Sequence, residues 1–132
     1  TPWRPPGYFP TPRSDVVESC TGSFDLRASP GFKVRVECVR WRWNTLFTIT
    51  VKTDYFADFD YPIIIKVEVD PPNAISDSET EHLHYDGDSV EFDWPADFLY
   101  FDDPVVGTYR ITVKASDFGD NLTIASGSFT IR

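Results

Sequence analysis

Apolar and polar residues alternate along much of the chain with a period of two residues. The clearest stretches are 32–40, 45–52, 61–69, 108–116 and 122–132. A two-residue period places successive side chains on opposite faces of a β-strand, so each stretch predicts a strand with one buried face. In the first of them, Phe32, Val34, Val36 and Cys38 share the apolar face.

The remaining pattern is weaker but of the same kind. Shorter candidate strands lie at 20–27 and, between 82 and 101, in the stretches HLHY, SVEFDW and DFLYF, with turn signals at 29–31, 70–73 and 86–88. Only the short segment SDVVESC (14–20) allows a helical period. About seven to nine strands at this spacing predict an all-β fold, an antiparallel β-sandwich.

The first twelve residues, TPWRPPGYFPTP, contain five prolines and three aromatic residues. Proline fixes φ and removes a backbone donor, so this segment predicts an extended arm. The apolar area of Trp3, Tyr8 and Phe9 favours an arm that docks on a protein surface. We therefore divide the chain into an N-terminal arm (1–19) and a sandwich (20–132).

Residues 14–19 are the better candidate for a donated strand, because they contain no proline and include Val16 and Val17. The sequence leaves open whether the arm docks on its own sandwich or on that of a neighbour.

The chain has 132 residues, enough for one domain with its own core. Its net charge of −9 is uneven, because residues 53–108 contain one Lys or Arg against fifteen Asp or Glu. This acidic block disfavours nucleic acid as a partner and favours cations, basic surfaces or a second copy of the chain. No apolar run approaches the roughly 20 residues of a membrane span.

Cys20 and Cys38 are the only cysteines. They can form one disulfide, which would tie down the N-terminal region, or remain as two buried thiols, and the sequence leaves both alternatives open. Their spacing does not match a zinc site.

Calcium is the first candidate ligand, because clustered carboxylates in sandwich loops can supply the six to eight oxygen atoms that it binds. The candidate ligands are Asp54, Asp58 and Asp60, Asp102 and Asp103, and Asp117 and Asp120 with Asn121. The alternative is that Asp is simply favoured in turns. We expect no bound cofactor unless these carboxylates bind calcium.

A second candidate is a transition-metal site at His82, His84 and Asp86, which would share one face of a continuous strand. The alternative is a solvated loop or edge strand. A sugar-stacking platform is the third candidate, at Trp41 and Trp43 and in the aromatic stretch 93–101, with core packing as its alternative.

No nucleophile, phosphate-loop or catalytic cysteine motif is present, so we do not expect an enzyme. The triplet Asn121-Leu122-Thr123 is an N-glycosylation acceptor sequence, which matters only if the protein is extracellular.

The stretch DDPVVGTYRITVKASDFGDNLTIASGSFTI, residues 102–131, resembles the last two strands of extracellular Ig-like and cadherin-like domains. Gly107 and Tyr109 match the positions of the corner tyrosine motif in these families. The resemblance implies an Ig-like sandwich in which the Tyr109 hydroxyl binds backbone at the strand entrance. It covers about 30 residues and specifies architecture rather than function.

Two functions follow from these features. The first is a secreted, extracellular or cell-surface structural subunit that self-assembles into a filament or surface layer through its N-terminal segment, with a layout similar to that of donor-strand filament subunits of bacteria and archaea. The alternative is an adhesion module that recognises glycan or calcium through its loops. Partners are then copies of the chain, glycans or other cell-surface proteins.

Overall fold

The computed structural model of the chain describes residues 15–17, 20, 22–41, 44–54, 59–72, 75–94, 106–117 and 121–131. Nine β-strands lie in these ranges. They are β1 (Asp15–Val17), β2 (Ser23–Leu26), β3 (Phe32–Trp41), β4 (Asn44–Thr53), β5 (Ile63–Asp70), β6 (Asp77–Leu83), β7 (Ser89–Trp94), β8 (Gly107–Ser116) and β9 (Asn121–Ile131).

The strands form two sheets. The five-stranded sheet has the order β1-β9-β8-β5-β6, and the four-stranded sheet has the order β2-β3-β4-β7. All strand pairs are antiparallel except β1 with β9, which is parallel. The prediction of an all-β sandwich of seven to nine strands is confirmed.

The core lies between the sheets and is built from the alternating apolar positions. On β5, for example, Ile63, Ile65, Val67 and Val69 are all fully buried. Burying such a side chain stabilises the fold by about 1.5–3 kcal/mol. The alternating pattern therefore predicted both the strand and the face that it buries.

Two observed strands differ from the expectations. β6 begins at Asp77, five residues before the predicted strand at 82, and its first residues are all polar. β1 shows that Asp15–Val17 is extended rather than helical. The stretch DFLYF lies outside the described residues.

The predicted turn at 86–88 is present, and Gly87 has a positive φ of 87°. It connects β6 and β7, which belong to different sheets. The chain therefore crosses from one sheet to the other at this turn rather than forming a hairpin.

Gly107 begins β8 with a φ of 138°, a conformation that side chains rarely adopt. A Cβ at this position would lie 2.8 Å from Cγ of Pro72. Two residues later, Tyr109 is fully buried among Phe47, Trp94 and Phe129. Gly107 thus lets β8 pass close to the end of β5, and Tyr109 fills the core beside it.

Candidate functional site

The N-terminal segment docks on the edge of the chain's own five-stranded sheet. Asp15, Val16 and Val17 of β1 pair with Gly127, Ser128 and Phe129 of β9. Val17 packs against the core, whereas the side chain of Val16 is 79% exposed. The aromatic residues Trp3, Tyr8 and Phe9 lie outside the described residues.

Two further contacts fix the position of β1. The Asp15 carboxylate accepts a hydrogen bond from the backbone N–H of Arg27, which follows β2 in the other sheet. Gly127 lies directly opposite, and a Cβ there would be 2.5 Å from Cδ2 of Leu26 and 3.1 Å from the carbonyl oxygen of Asp15. A glycine at position 127 is therefore what allows β1, β2 and β9 to approach one another.

A disulfide holds the chain just after β1. Cys20 is bonded to Cys38 of β3, with Cα atoms 5.8 Å apart, so the prediction of a disulfide is supported over that of two free thiols. The N–H of Cys20 donates to the carbonyl of Thr130 at 2.8 Å. Because Thr130 belongs to the five-stranded sheet and Cys38 to the four-stranded sheet, the disulfide links the two sheets at the base of the arm.

The candidate calcium ligands are brought together only in part. The loop before β5 meets the loop after β8, where the N–H of Asp60 donates to the carboxylate of Asp117 at 3.0 Å. The N–H of Asp54 donates to the carbonyl of Gly31 at 2.9 Å. The other carboxylates of this prediction, Asp58, Asp102, Asp103 and Asp120, lie outside the described residues.

Within the described part of the chain, no three His, Cys, Asp or Glu side chains are grouped closely enough to hold a metal ion. The rings of His82 and His84 are stacked with centroids 6.4 Å apart. The Asp86 carboxylate accepts a hydrogen bond from the Tyr61 hydroxyl. The predicted triad is thus divided, and Asp86 belongs to a different set of contacts.

Tyr61 lies between Asp86 and the buried Thr53. Its hydroxyl donates to Asp86 and lies 3.4 Å from Oγ1 of Thr53. Burial, reinforced by the hydrogen bond to Asp86 and by the charges of Asp86 and Asp54, raises the pKa of Tyr61 above its ordinary value of 10.0. The neutral phenol is therefore the form that the folded protein favours.

This pKa shift predicts an alkaline loss of stability. Because the folded pKa of Tyr61 is raised, its contribution to the free energy of unfolding is present below pH 10.0 and is lost as the pH rises through the folded pKa. We expect the free energy of unfolding, measured with urea, to fall when the pH is raised from neutral to above 10. This fall should be smaller for Tyr61→Phe than for the wild type. Tyr85→Phe, which removes an exposed phenol nearby, should follow the wild type. Equal pH dependence in all three proteins would contradict the prediction.

The described part of the predicted aromatic platform is core and not surface. Trp94, in the predicted stretch 93–101, is fully buried and stacks on Phe47 with ring centroids 5.9 Å apart. The side chains of Trp41 and Trp43 and residues 95–101 lie outside the described residues. Core packing therefore accounts for Trp94.

The glycosylation candidate Asn121 is exposed at the first residue of β9, opposite Ser116 of β8. Its side chain is accessible, as a modified asparagine requires.

Part of the acidic block lies on an edge strand, a position that the sequence pattern did not indicate. Strand β6 pairs with β5 so that Asp77, Glu79 and Glu81 stand opposite Val69, Val67 and Ile65. These three carboxylates, which we name the acidic shelf, therefore lie on the side of β6 that faces the other sheet. Asp77 and Glu79 are half-buried and Glu81 is exposed, whereas the β5 residues beside them are fully buried.

Among the described residues, no helix is both long and apolar enough to cross a membrane. No protein-family model, curated protein or solved structure matches the chain. Function is therefore inferred from the contacts within the chain, chiefly those at the edges of the two sheets.

Proposed function

We propose that the chain is an extracellular structural subunit that assembles with its own copies, into a filament or surface layer, through its N-terminal segment. The observation that carries the proposal is the way in which β1 is held. Three residues pair with β9, the Asp15 carboxylate binds the Arg27 N–H, and the disulfide follows at Cys20.

These contacts limit which part of the arm can reach a neighbour. Only Glu18 and Ser19 separate Val17 from the cross-linked Cys20, so β1 has little freedom to leave its own sandwich. Residues 1–13 precede this anchor and include Trp3, Tyr8 and Phe9. The sequence favoured residues 14–19 as the donated strand, but Asp15–Val17 pair with β9 of the same chain. We therefore move the contact with a neighbour to residues 1–13, and we assign Val16 and Val17 to anchoring the arm.

Two general features of the fold fit this proposal. A disulfide-bonded β fold is compatible with an oxidising, extracellular compartment. The two-sheet sandwich with a buried Tyr109 is compatible with the resemblance of residues 102–131 to Ig-like and cadherin-like domains. An arm fixed at one edge of such a sandwich makes a contact that can propagate from copy to copy rather than close on itself.

One observation favours the second candidate function, a binding module that takes calcium or glycan through its loops. The contact between Asp60 and Asp117 brings two acidic loops to the same end of the sandwich. Calorimetric titration with calcium tests it, since tight binding by a strictly monomeric full-length chain would favour this function over assembly.

Deleting residues 1–13 tests the assembly proposal. All core residues in the described ranges lie at or after Cys20, so the shortened chain keeps the core and β1. We expect light scattering and electron microscopy to find assemblies for the full chain and monomers for the shortened one. A matched variant with Trp3, Tyr8 and Phe9 replaced by Ser keeps the arm's length and should also stay monomeric. If the shortened chain assembles like the full one, the proposal is wrong.

A further inference from the structure

The four-stranded sheet ends at β7, and none of the other described strands pairs with the outer edge of β7. The five-stranded sheet is one strand wider, and β7 is the edge strand on the side of β6. The ring of Trp94 on β7 contacts Tyr109 on β8, with centroids 6.1 Å apart, so β7 lies inward of β6. In the acidic shelf, Asp77 and Glu79 are half-buried and Glu81 is exposed.

The backbone of β7 directs some of its hydrogen-bonding groups to its outer edge, the side away from β4. In an antiparallel ladder, alternate residue pairs exchange hydrogen bonds, and the intervening residues direct theirs to the opposite side. The N–H of Thr53 donates to the carbonyl of Asp88, in register with the pairs between β4 and β7. The alternation therefore directs the N–H groups of Ser89 and Glu91 away from β4. The Ser89 N–H donates to the carboxylate of Asp88 at 2.9 Å, so Glu91 is the residue whose N–H faces the edge for a further strand.

The proline spacing of the arm matches a strand that pairs along one edge only. In residues 6–13, PGYFPTPR, prolines occupy positions 6, 10 and 12. In an extended chain, alternate N–H groups point to the same edge, so Gly7, Phe9, Thr11 and Arg13 supply donors along one side. On the other side, Tyr8 supplies the only donor of this segment. Such a segment can add to a sheet edge while preventing further strands from pairing with it.

Charge favours the arm as the occupant of the space above the acidic shelf. Residues 1–13 contain Arg4 and Arg13 and no Asp or Glu. The alternative occupant is the segment that follows β7, residues 95–105. It contains three Asp and no Lys or Arg, and it would bring like charges onto the acidic shelf. Complementary charge also selects the correct partner and register during association.

We propose that residues 6–13 of one copy add to β7 of a second copy as a fifth strand, over the acidic shelf. This inference rests on the proposed function and names its acceptor. Because β1 and β6 are at opposite edges of the five-stranded sheet, donor and acceptor lie on opposite sides of each copy. The contact is then heterologous, and each added copy offers a new acceptor.

A substitution of the full-length chain at Thr11 tests the donor strand. Thr11→Pro removes one N–H from the pairing edge, whereas Thr11→Val keeps both the N–H and the β-branched shape. We expect Thr11→Pro to raise the concentration at half-assembly about tenfold, as the loss of a paired backbone donor implies, and Thr11→Val to change it less than about twofold. Equal assembly of the two variants would overturn the inference.

Two measurements test the acceptor. Glu81→Lys on the shelf should raise the same concentration about three- to fivefold, whereas Glu37→Lys, an exposed residue on the outer face of β3, should not. Hydrogen exchange of Glu91 should slow when the full chain is concentrated enough to assemble. Protection that is equally strong in the monomer would mean that the chain covers β7 itself and would overturn the inference.

The outcomes separate the inference from the proposed function. If deleting residues 1–13 abolishes assembly while Thr11→Pro assembles normally, the arm drives assembly by another contact, and only the inference fails. If the deletion leaves assembly unchanged, the proposed function fails as well.

Discussion

Replacing Phe47 by Ala is expected to lower the free energy of unfolding by about 3–5 kcal/mol, the range for removing a buried aromatic side chain. Phe47 lies on β4 at the centre of the core, with less than 2% of its surface exposed. Its ring centroid lies 5.9 Å from that of Trp94, 5.6 Å from that of Tyr109 and 4.9 Å from that of Phe129. One substitution therefore removes packing from three other strands.

The size of this effect follows from the two sheets that the ring joins. Trp94 belongs to the same sheet as Phe47, whereas Tyr109 and Phe129 belong to the opposite sheet. Aromatic pairs add about 0.5–1.5 kcal/mol beyond the area that they bury. Because a domain of this size is stable by only about 5–15 kcal/mol, the variant should lose at least about a fifth of its stability.

Urea unfolding followed by tryptophan fluorescence measures this loss. Phe24→Ala is the matched control, since Phe24 contacts the same cluster through Phe129 at 5.8 Å but is only half-buried. We expect the control to lose about half as much stability or less, because it leaves a smaller cavity. A loss below about 1 kcal/mol for Phe47→Ala would mean that the cluster is not the centre of the core.

Much of the fold could be predicted because its central strands bury one face each. On β3, Val34 and Val36 are buried while Lys33 and Arg35 are exposed, as the two-residue period predicts. Such strands lie between two neighbours, and their side chains meet core on one side and water on the other. The period is then a direct consequence of the fold.

The sequence pattern predicts only the end of strand β6, because most of its residues do not alternate between apolar and polar. Its core-facing side carries Asp77, Glu79 and Glu81, and its outer side carries further polar residues. Leu83, at the end of the strand, is its one fully buried apolar residue. An edge strand need not bury apolar side chains along its whole length, and inward-pointing charges protect it from unwanted pairing. Residues 77–82 therefore show no apolar period, although their backbone is extended.

The pairing of strands could not be predicted either, because the alternation shows which face of a strand is buried but not which strand lies beside it. Nothing local in Asp15–Val17 indicates a parallel pairing with β9. The approach depends on Gly127 and Leu26, which lie far away in the chain. The same holds for the candidate site, because Asp60 and Asp117 meet only when their two loops are brought to one end of the sandwich.

Reducing the disulfide between Cys20 and Cys38 is expected to lower the free energy of unfolding by about 3 kcal/mol, because the bond closes a loop of the unfolded chain. The two residues are separated by 18 positions, and their Cα atoms lie 5.8 Å apart. The lost stability concerns the attachment of the N-terminal segment to the sandwich. Without the bond, Cys20 is held to the five-stranded sheet mainly by its hydrogen bond to Thr130, and the link to β3 is lost.

Only two residues separate β1 from Cys20, so the loss of the disulfide should also weaken the attachment of β1 to the sandwich. We expect the Cys20→Ser, Cys38→Ser double variant to show about 3 kcal/mol lower stability in urea, and faster hydrogen exchange at Val16 and Val17 than at β5 or β8. Wild-type protein treated with a reducing agent is the matched control and should behave like the double variant. Unchanged exchange at Val16 and Val17 would mean that pairing with β9 and the Asp15 contact alone hold the arm, and that the disulfide stabilises the sandwich without anchoring its N-terminal segment.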